Sequence, residues 1–124
     1  MFNGNPITRG LEFVFRDNGQ LTAVFQLCEQ HMGYDDIAHG GVIAAIIDAS
    51  MAQCLMGHGV VAYTTDLHLR YRKPLRIGSV ARLSTRITAV DIGVLYSLET
   101  DIRQGHHVVV QATGRFCSKD AFVN

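Results

Sequence analysis

The 124-residue sequence lacks tryptophan, has only two prolines and three cysteines, and carries no net charge, because eleven Lys and Arg balance eleven Asp and Glu. The charge balance argues against a nucleic-acid-binding surface, which needs a basic excess. The odd number of cysteines (Cys28, Cys54, Cys117) has no metal-type spacing, so we expect reduced structural thiols. The six histidines also lack metal-type spacing, and no metal site is predicted.

Targeting signals are missing as well. The first residues do not form a charged segment followed by an apolar core, so no signal peptide is recognised. The longest apolar stretch falls short of the roughly 18 clean residues that a membrane span needs. A cytoplasmic protein is therefore expected. Length and a hydrophobic content of 48% predict one globular domain over residues 1–124.

The most informative feature is a carboxylate, Asp48, inside an otherwise apolar run from Val42 to Met56, which His39-Gly40-Gly41 opens. A helix this apolar on all sides must be covered by the rest of the fold. A carboxylate placed there loses hydration, which costs several kcal/mol unless the group is paired, hydrogen-bonded or protonated. Asp48 is therefore either a buried structural acid, held by a hydroxyl or a partner chain, or a functional group.

Segments with the alternating pattern of β-strands precede and follow this helix in the sequence. Alternating segments at 11–16 and 21–27 flank Asp17-Asn18-Gly19 and predict a hairpin, followed by a loop over 29–38. The helix is expected to end near Gly57-His58-Gly59. Four long, meandering strands are predicted at 60–71, 80–90, 94–103 and 108–118. The pattern predicts an α+β fold in which a curved antiparallel sheet wraps one long central helix, with a second subunit covering what the sheet leaves open.

The order of the motifs carries a resemblance to a known family. His39-Gly40-Gly41, Asp48 nine residues after His39, Thr64-Thr65-Asp66-Leu67 and Tyr71-Arg72-Lys73-Pro74 together resemble the hotdog-fold acyl-CoA thioesterases of the phenylacetate-pathway (PaaI-like) subgroup. The resemblance implies a hotdog fold and hydrolysis of an acyl-CoA thioester to the free acid and CoA. It further implies that Asp48 is the catalytic acid, as general base or nucleophile. Gly40 would polarise the thioester carbonyl through its N–H, and Thr64 would orient the acid or a water.

The loop before the helix departs from the family pattern. Some relatives carry Asn or Gln six or seven residues before the histidine, where this chain has Met32 and Gly33. The contact with substrate or water is therefore missing, or another residue such as His31 supplies it, and Gly33 is kept as a substrate-binding candidate. His39 is expected to shape the helix start, with a catalytic acid as the lesser alternative.

The helix start suits an oxyanion. The first N–H groups of a helix lack intrahelical partners, and the helix dipole adds positive potential, so Gly40 and Gly41 are expected to contact the thioester carbonyl. The alternative is that they form only a tight turn. Gly40 and Asp48 lie eight residues apart, about 12 Å of helix rise, so one helix cannot bring both to one carbon. A homodimer with a shared active site is predicted, with strand faces around Asp66 available for a dimer of dimers.

The CoA phosphates need cations. Arg70, Arg72 and Lys73, with Arg76 nearby, are predicted to bind them, although a solvated basic sheet edge explains the cluster equally well. No separate cofactor is expected, because CoA is part of the substrate. Two other functions are compatible with the fold: a non-catalytic acyl-CoA-binding protein, and a dehydratase or hydratase acting on the acyl chain. The sequence does not distinguish an aryl from a medium-chain acyl group.

Overall fold

In the computed structural model, residues 11–28, 32–34, 37–38 and 40–122 are described. They form one long helix, a six-stranded antiparallel sheet of order β1-β2-β6-β7-β8-β5 and a separate two-stranded sheet of β3 and β4. The predicted α+β architecture is confirmed. In chain order the elements are β1 (Val14–Phe15), β2 (Leu21–Phe25), β3 (Met32–Tyr34), β4 (Ile37–Ala38), α1 (Gly40–Gly57), β5 (Ala62–Tyr71), β6 (Ala81–Asp91), β7 (Leu95–Gln104), β8 (His107–Ser118) and a final 3₁₀-helix (Lys119–Phe122).

The predicted N-terminal hairpin is confirmed, since β1 pairs with β2 in antiparallel register. Gly19 adopts a φ of +86° in its turn, a conformation that favours glycine. The predicted end of the helix is confirmed too, because α1 stops at Gly57 and Gly59 follows with a φ of +81°. The loop expected over 29–38 is wrong in one respect: it contains the short β3–β4 hairpin.

The four strands after α1 occupy the predicted positions to within about two residues, but they do not form one meander. β6, β7 and β8 follow each other in the sheet, whereas β5 pairs with β8 and lies at the sheet edge. The connection from β5 to β6 therefore crosses over, and its Leu75 is buried in the core. The alternating pattern could not reveal this, because it defines which residues share a face and not which strand is the neighbour.

α1 packs against one face of the sheet. Its buried residues, among them Ile47 and Met51, contact a core that includes Leu98, Ile102 and Phe116 from β7 and β8. The helix approaches β8 so closely that a Cβ at Gly114 would lie 2.4 Å from the sulfur of Met51. Burying one such large apolar side chain stabilises the fold by about 1.5–3 kcal/mol. The contact between Met51 and Gly114 also sets the distance between α1 and the sheet.

A chain of buried hydroxyls also joins the helix to the sheet. Ser50 Oγ donates to the carbonyl of Ile47 (2.7 Å) and lies 2.8 Å from Thr85 Oγ1, which in turn lies 2.6 Å from Thr100 Oγ1. All three hydroxyl-bearing residues are fully buried. Because each hydroxyl has a partner, the desolvation of these polar groups is compensated, and the middle of α1 is held in one position over β6 and β7.

The sheet covers only part of α1, which agrees with the expectation that it leaves one side of the helix open. Eight of its eighteen residues are buried. A stripe consisting of Gly41, Ala45, Asp48, Ala52 and Met56 is half-exposed or exposed, because the sheet covers only the opposite side. By length and composition alone α1 is also apolar enough to cross a membrane, contrary to the sequence-based expectation, although the core helix of a soluble protein meets the same criterion.

β5 is a long edge strand of ten residues next to this uncovered stripe. Tyr63 and Tyr71, at its two ends, are 57% and 48% exposed. An edge of this length presents a row of backbone N–H and C=O groups to which another strand can pair. Among the described residues no strand pairs with the outer edge of β5, and the candidate site lies where β5 adjoins the uncovered side of α1.

Candidate active site

Asp48 and Thr64 form the centre of the site. Asp48 is half-buried on the uncovered stripe of α1, and Thr64 extends from the edge strand β5 toward it. The hydroxyl of Thr64 donates a hydrogen bond to Asp48 Oδ1 over 2.7 Å. Hydrogen bonds to a charged acceptor are about twice as strong as those between neutral groups, so this contact fixes the carboxylate rotamer. The second carboxylate oxygen has no protein partner among the described contacts.

An irregularity in β5 explains the direction of Thr64. Thr64 pairs with Phe116 and Asp66 pairs with the adjacent Arg115, so Thr65 is an extra residue in the strand. The Thr65 hydroxyl donates to the backbone carbonyl of Arg115 at 3.0 Å. Bulges of this kind re-aim side chains and occur next to active sites, and this one leaves Thr64 on the face that carries α1.

The second group of candidate site residues lies at the start of α1. The helix begins at Gly40, whose backbone is exposed, as is that of Gly41. The hydroxyl of Tyr71, the last residue of β5, donates to the carbonyl of Gly40 over 3.1 Å. Burial raises the pKa of the Tyr71 phenol, so the hydroxyl keeps its proton at neutral pH. Sequence reasoning used Tyr71 only as part of a motif and did not find this contact.

One chain does not bring the two halves together. Gly40 lies in the first turn of α1 and Asp48 in its middle, about 12 Å further along the axis. The groups that act on one carbonyl carbon must lie within hydrogen-bond distance of the reacting atoms. The described residues of a single chain therefore contain two half-sites. His39 lies outside the described residues, and of Gly33 only the backbone is described, within β3.

The residues predicted to bind phosphates line two clefts. Arg70 and Arg72 line a cavity of about 500 Å³ on the sheet face opposite α1, together with Glu99 and Asp101. Arg72 Nε donates to the side-chain oxygen of Gln111 at 2.8 Å. Glu99 and Asp101 both pair with Arg86 of β6, so side chains of both charges lie at this cavity.

Lys73 lines a second cleft of about 790 Å³ in which all titratable groups are basic. Its other basic residues are Arg76, Arg82, His106 and His107, and its lining contains no Asp or Glu. The Gln104 side chain accepts from the N–H of Arg76 (2.9 Å) and donates to its carbonyl (3.1 Å), which ties the β5–β6 connection to the end of β7. Two segments that are distant in the sequence, 73–82 and 104–109, meet here, so the sequence alone could not group these cations.

The described residues contain no metal site, and the buried Cys54 does not suit nucleophilic catalysis. No three His, Cys, Asp or Glu side chains in that part of the chain are arranged to hold a metal ion. Cys54 is buried, and its sulfur lies near the carbonyls of Gly19 and Thr85. Burial raises the pKa of the Cys54 thiol, which opposes the thiolate that nucleophilic catalysis requires. Cys28 is exposed, which differs from the apolar environment expected for it.

Comparison with known sequences agrees with this geometry. The model of the thioesterase superfamily matches residues 36–91, which include α1 and β5. Acyl-coenzyme A thioesterase THEM4 from Rattus norvegicus is 27% identical over 100 residues, which cover 73% of this chain and 43% of the rat protein. The corresponding protein from Mus musculus is 34% identical over 59 residues, or 25% of its length. The chain thus spans less than half the length of the curated relatives it matches.

Solved structures share the fold over most of the chain. A hypothetical thioesterase protein from Streptococcus pneumoniae TIGR4, solved with coenzyme A, is 18% identical with a TM-score of 0.82, covering 90% of each chain. Two mutant structures of that protein carry an Asp-to-Ala or a Thr-to-Ala change at positions sixteen residues apart. The PaaI protein of the phenylacetic acid degradation operon of E. coli is 14% identical with a TM-score of 0.80, covering 88% of this chain and 79% of its own.

At these identities the structural matches establish the fold, and the family model adds an independent sequence match over α1 and β5. Both lead to the same group of proteins, which includes the PaaI type. The sheet that curves around one long helix is accordingly a hotdog fold, and the resemblance of this chain to the hotdog-fold thioesterase superfamily is confirmed.

Proposed function

We propose that the protein is an acyl-CoA thioesterase that hydrolyses an acyl- or aryl-CoA thioester to the free acid and CoA. The observation that carries the proposal is the hydrogen bond from Thr64 to Asp48 on the uncovered side of α1. A carboxylate held in one rotamer, with no protein partner for its other oxygen among the described residues, suits a base or a nucleophile. The thioesterase superfamily match and the THEM4 relatives support the same reaction class.

The proposed chemistry needs an attacking oxygen and an oxyanion donor. As a general base, Asp48 accepts a proton from a water whose oxygen bonds to the thioester carbon. The carbonyl oxygen becomes an oxyanion that accepts from the N–H of Gly40. When the tetrahedral intermediate collapses, the C–S bond breaks and the CoA sulfur takes the proton from Asp48. As a nucleophile, Asp48 would instead form a mixed anhydride with loss of CoA, and water would then cleave the anhydride.

The comparison structures support the choice of residues. Asp48 and Thr64 lie sixteen positions apart, the same spacing as the Asp and Thr that were each changed to Ala in the pneumococcal protein. That protein was solved with coenzyme A, and a related protein from Streptococcus mutans UA159 was solved with acetyl CoA. These ligands support a CoA thioester as the substrate class of this chain.

The proposed active unit is a homodimer. Two copies pair across the free edge of β5 and place their α1 helices antiparallel, so that Asp48 of one subunit faces Gly40 of the partner subunit. Three features support this assembly: the ten-residue edge strand, the uncovered stripe of small residues on α1, and the axial distance between Gly40 and Asp48. In the dimer the stripe becomes covered, which supplies the enclosure that a desolvated catalytic carboxylate needs.

The remaining surfaces suit the rest of the substrate and further assembly. The basic cleft around Lys73, Arg76 and Arg82 is the better candidate for the CoA phosphates, because its lining has no acidic residue. Arg70 and Arg72 on the outer sheet face are a secondary candidate. The same outer face carries Asp66 and His68, paired at 3.7 Å, and is where a dimer of dimers would form. A cytoplasmic location remains part of the proposal.

The test is release of free thiol from a panel of aromatic and straight-chain acyl-CoAs by the wild-type protein, Asp48→Asn and Asp66→Asn. Asp48→Asn keeps the side-chain shape and removes the base, so we expect a loss of about 10²–10⁴ in kcat. Asp66→Asn changes an acid that lies on the outer face of the same region and should retain turnover. Saturable acyl-CoA binding without turnover by the wild type would favour the non-catalytic binding protein instead.

A further inference from the structure

The start of α1 combines two sources of mobility. Gly40 is its first residue and Gly41 its second, and glycine is the least restrained residue in backbone conformation. Helix ends also fray more readily than helix interiors. An oxyanion donor, in contrast, acts by being held in place before the charge develops, within roughly 0.5 Å of its productive position. A contact from outside the helix is therefore needed to hold Gly40.

Tyr71 makes such a contact from a rigid part of the fold. Its hydroxyl donates to the Gly40 carbonyl over 3.1 Å, and a Cβ built on Gly40 would lie 3.4 Å from the same hydroxyl oxygen. Tyr71 ends β5 and pairs with Val110 of β8, which is fully buried. The hydrogen bond therefore connects the first residue of α1 to a strand that pairs with a buried strand of the sheet.

We propose that Tyr71 is a positioning residue that holds Gly40 in the conformation required of the oxyanion donor; this inference rests on the proposed thioesterase function. The position of a carbonyl oxygen sets the plane of the peptide group that follows its Cα. Cα, C and O of Gly40 lie in one planar peptide group with the N–H of Gly41. By holding the Gly40 oxygen, Tyr71 therefore restricts ψ of Gly40 and restrains the Cα from which the Gly40 N–H extends. The carbonyl retains a second lone pair for the helix.

The chain contains a matched control for this contact. Tyr96 also donates its hydroxyl to a glycine carbonyl, that of Gly93 at 3.4 Å, in the turn between β6 and β7. The Tyr71→Phe and Tyr96→Phe variants remove the same atom and the same type of hydrogen bond. Only Tyr71→Phe removes a hydrogen bond to α1. A difference in kcat or in amide exchange between the two variants is therefore caused by the location of the lost hydrogen bond and not by the loss of a hydroxyl as such.

The experiment measures steady-state hydrolysis of an acyl-CoA and amide hydrogen exchange in the wild type and both variants. We expect Tyr71→Phe to lower kcat about three- to tenfold, the usual effect of one hydrogen bond. KM should stay within about twofold, because the contact acts on the transition state and not on substrate binding. Amide exchange in residues 40–43 should become faster in Tyr71→Phe alone. Tyr96→Phe should match the wild type in all three measurements.

The outcomes separate this inference from the reaction on which it rests. If the wild type is active and Tyr71→Phe has an unchanged kcat, or raises only KM, the inference is wrong and the thioesterase proposal stands. If exchange at residues 40–43 is the same in all three proteins, Tyr71 does not hold the helix start, whatever the activity. If the wild type hydrolyses no acyl-CoA, the proposed function itself is wrong and the inference fails with it.

Discussion

The Thr64 hydroxyl donates to Asp48 Oδ1 over 2.7 Å, and this bond links the edge strand β5 to the uncovered side of the central helix. On the side of the molecule where β5 and α1 meet, the rest of the chain covers neither element. A hydrogen bond in such a place adds little to the core. Its main effect is to define the direction of one carboxylate, which is why we expect its loss to affect catalysis more than folding.

Thr64→Ala should lower kcat about tenfold, because a hydrogen bond to a charged group contributes about 1.5–3 kcal/mol and this one is partly exposed to solvent. Thr64→Ser keeps the hydroxyl and should recover most of the loss. Thr65→Ala is the matched control, since its hydroxyl bonds to the backbone carbonyl of Arg115 and not to Asp48. Acyl-CoA turnover measures all three, and equal effects of the two alanine variants would contradict a specific role for Thr64.

A proline substitution removes the backbone N–H of Gly40 and is compatible with the start of a helix. Proline lacks the N–H and is favoured at the first helical position, where Gly40 lies. Gly40→Pro should therefore lower kcat by about 10²–10³, as loss of one oxyanion donor does in other enzymes. Gly40→Ala adds a side chain but keeps the N–H, and it should be less severe. If alanine and proline reduce kcat equally, bulk at this position and not the donor is responsible.

The buried hydroxyl chain should be necessary for stability. Thr85→Val removes the central hydroxyl and leaves those of Ser50 and Thr100 each without one partner. The free energy of unfolding should fall by about 1–3 kcal/mol, the penalty for unsatisfied buried polar groups. Thr88→Val, at an exposed position of the same strand, should change it by less than about 0.5 kcal/mol. Denaturant titration measures both, and a Thr85→Val protein as stable as the wild type would contradict the account.

The sequence predicted the elements better than their arrangement. The alternating strands and the apolar helix were located to within about two residues, because their patterns are local. The pairing of β5 with β8 was not predicted, since strand order depends on the crossover through Leu75 and not on alternation. The half-exposed position of Asp48 in the single chain agrees with the prediction of a second subunit that covers what the sheet leaves open.

The candidate site was likewise predicted only in part from the sequence. Asp48, Gly40 and Thr64 were singled out through a local motif and its spacing, and the structure places Thr64 against Asp48. The contact between Tyr71 and Gly40 spans 31 residues and depends on where β5 ends relative to α1, which no pattern in the sequence encodes. The basic cleft likewise contains residues from two distant segments, such as Lys73 and His107, that only the folded chain brings together.

The central claim is that each active site takes Asp48 from one subunit and Gly40 from the partner subunit. Subunit complementation tests it most directly: Asp48→Asn and Gly40→Pro proteins, each inactive alone, are unfolded, mixed in equal amounts and refolded before turnover is measured. In a mixed dimer one site carries both substitutions and the other carries neither.

The account predicts recovery of about a quarter of the wild-type activity, because random pairing makes half of the dimers mixed and one of their two sites is intact. Wild-type protein taken through the same refolding provides the reference. A refolded mixture that contains mixed dimers and remains as inactive as its parents would contradict the shared site.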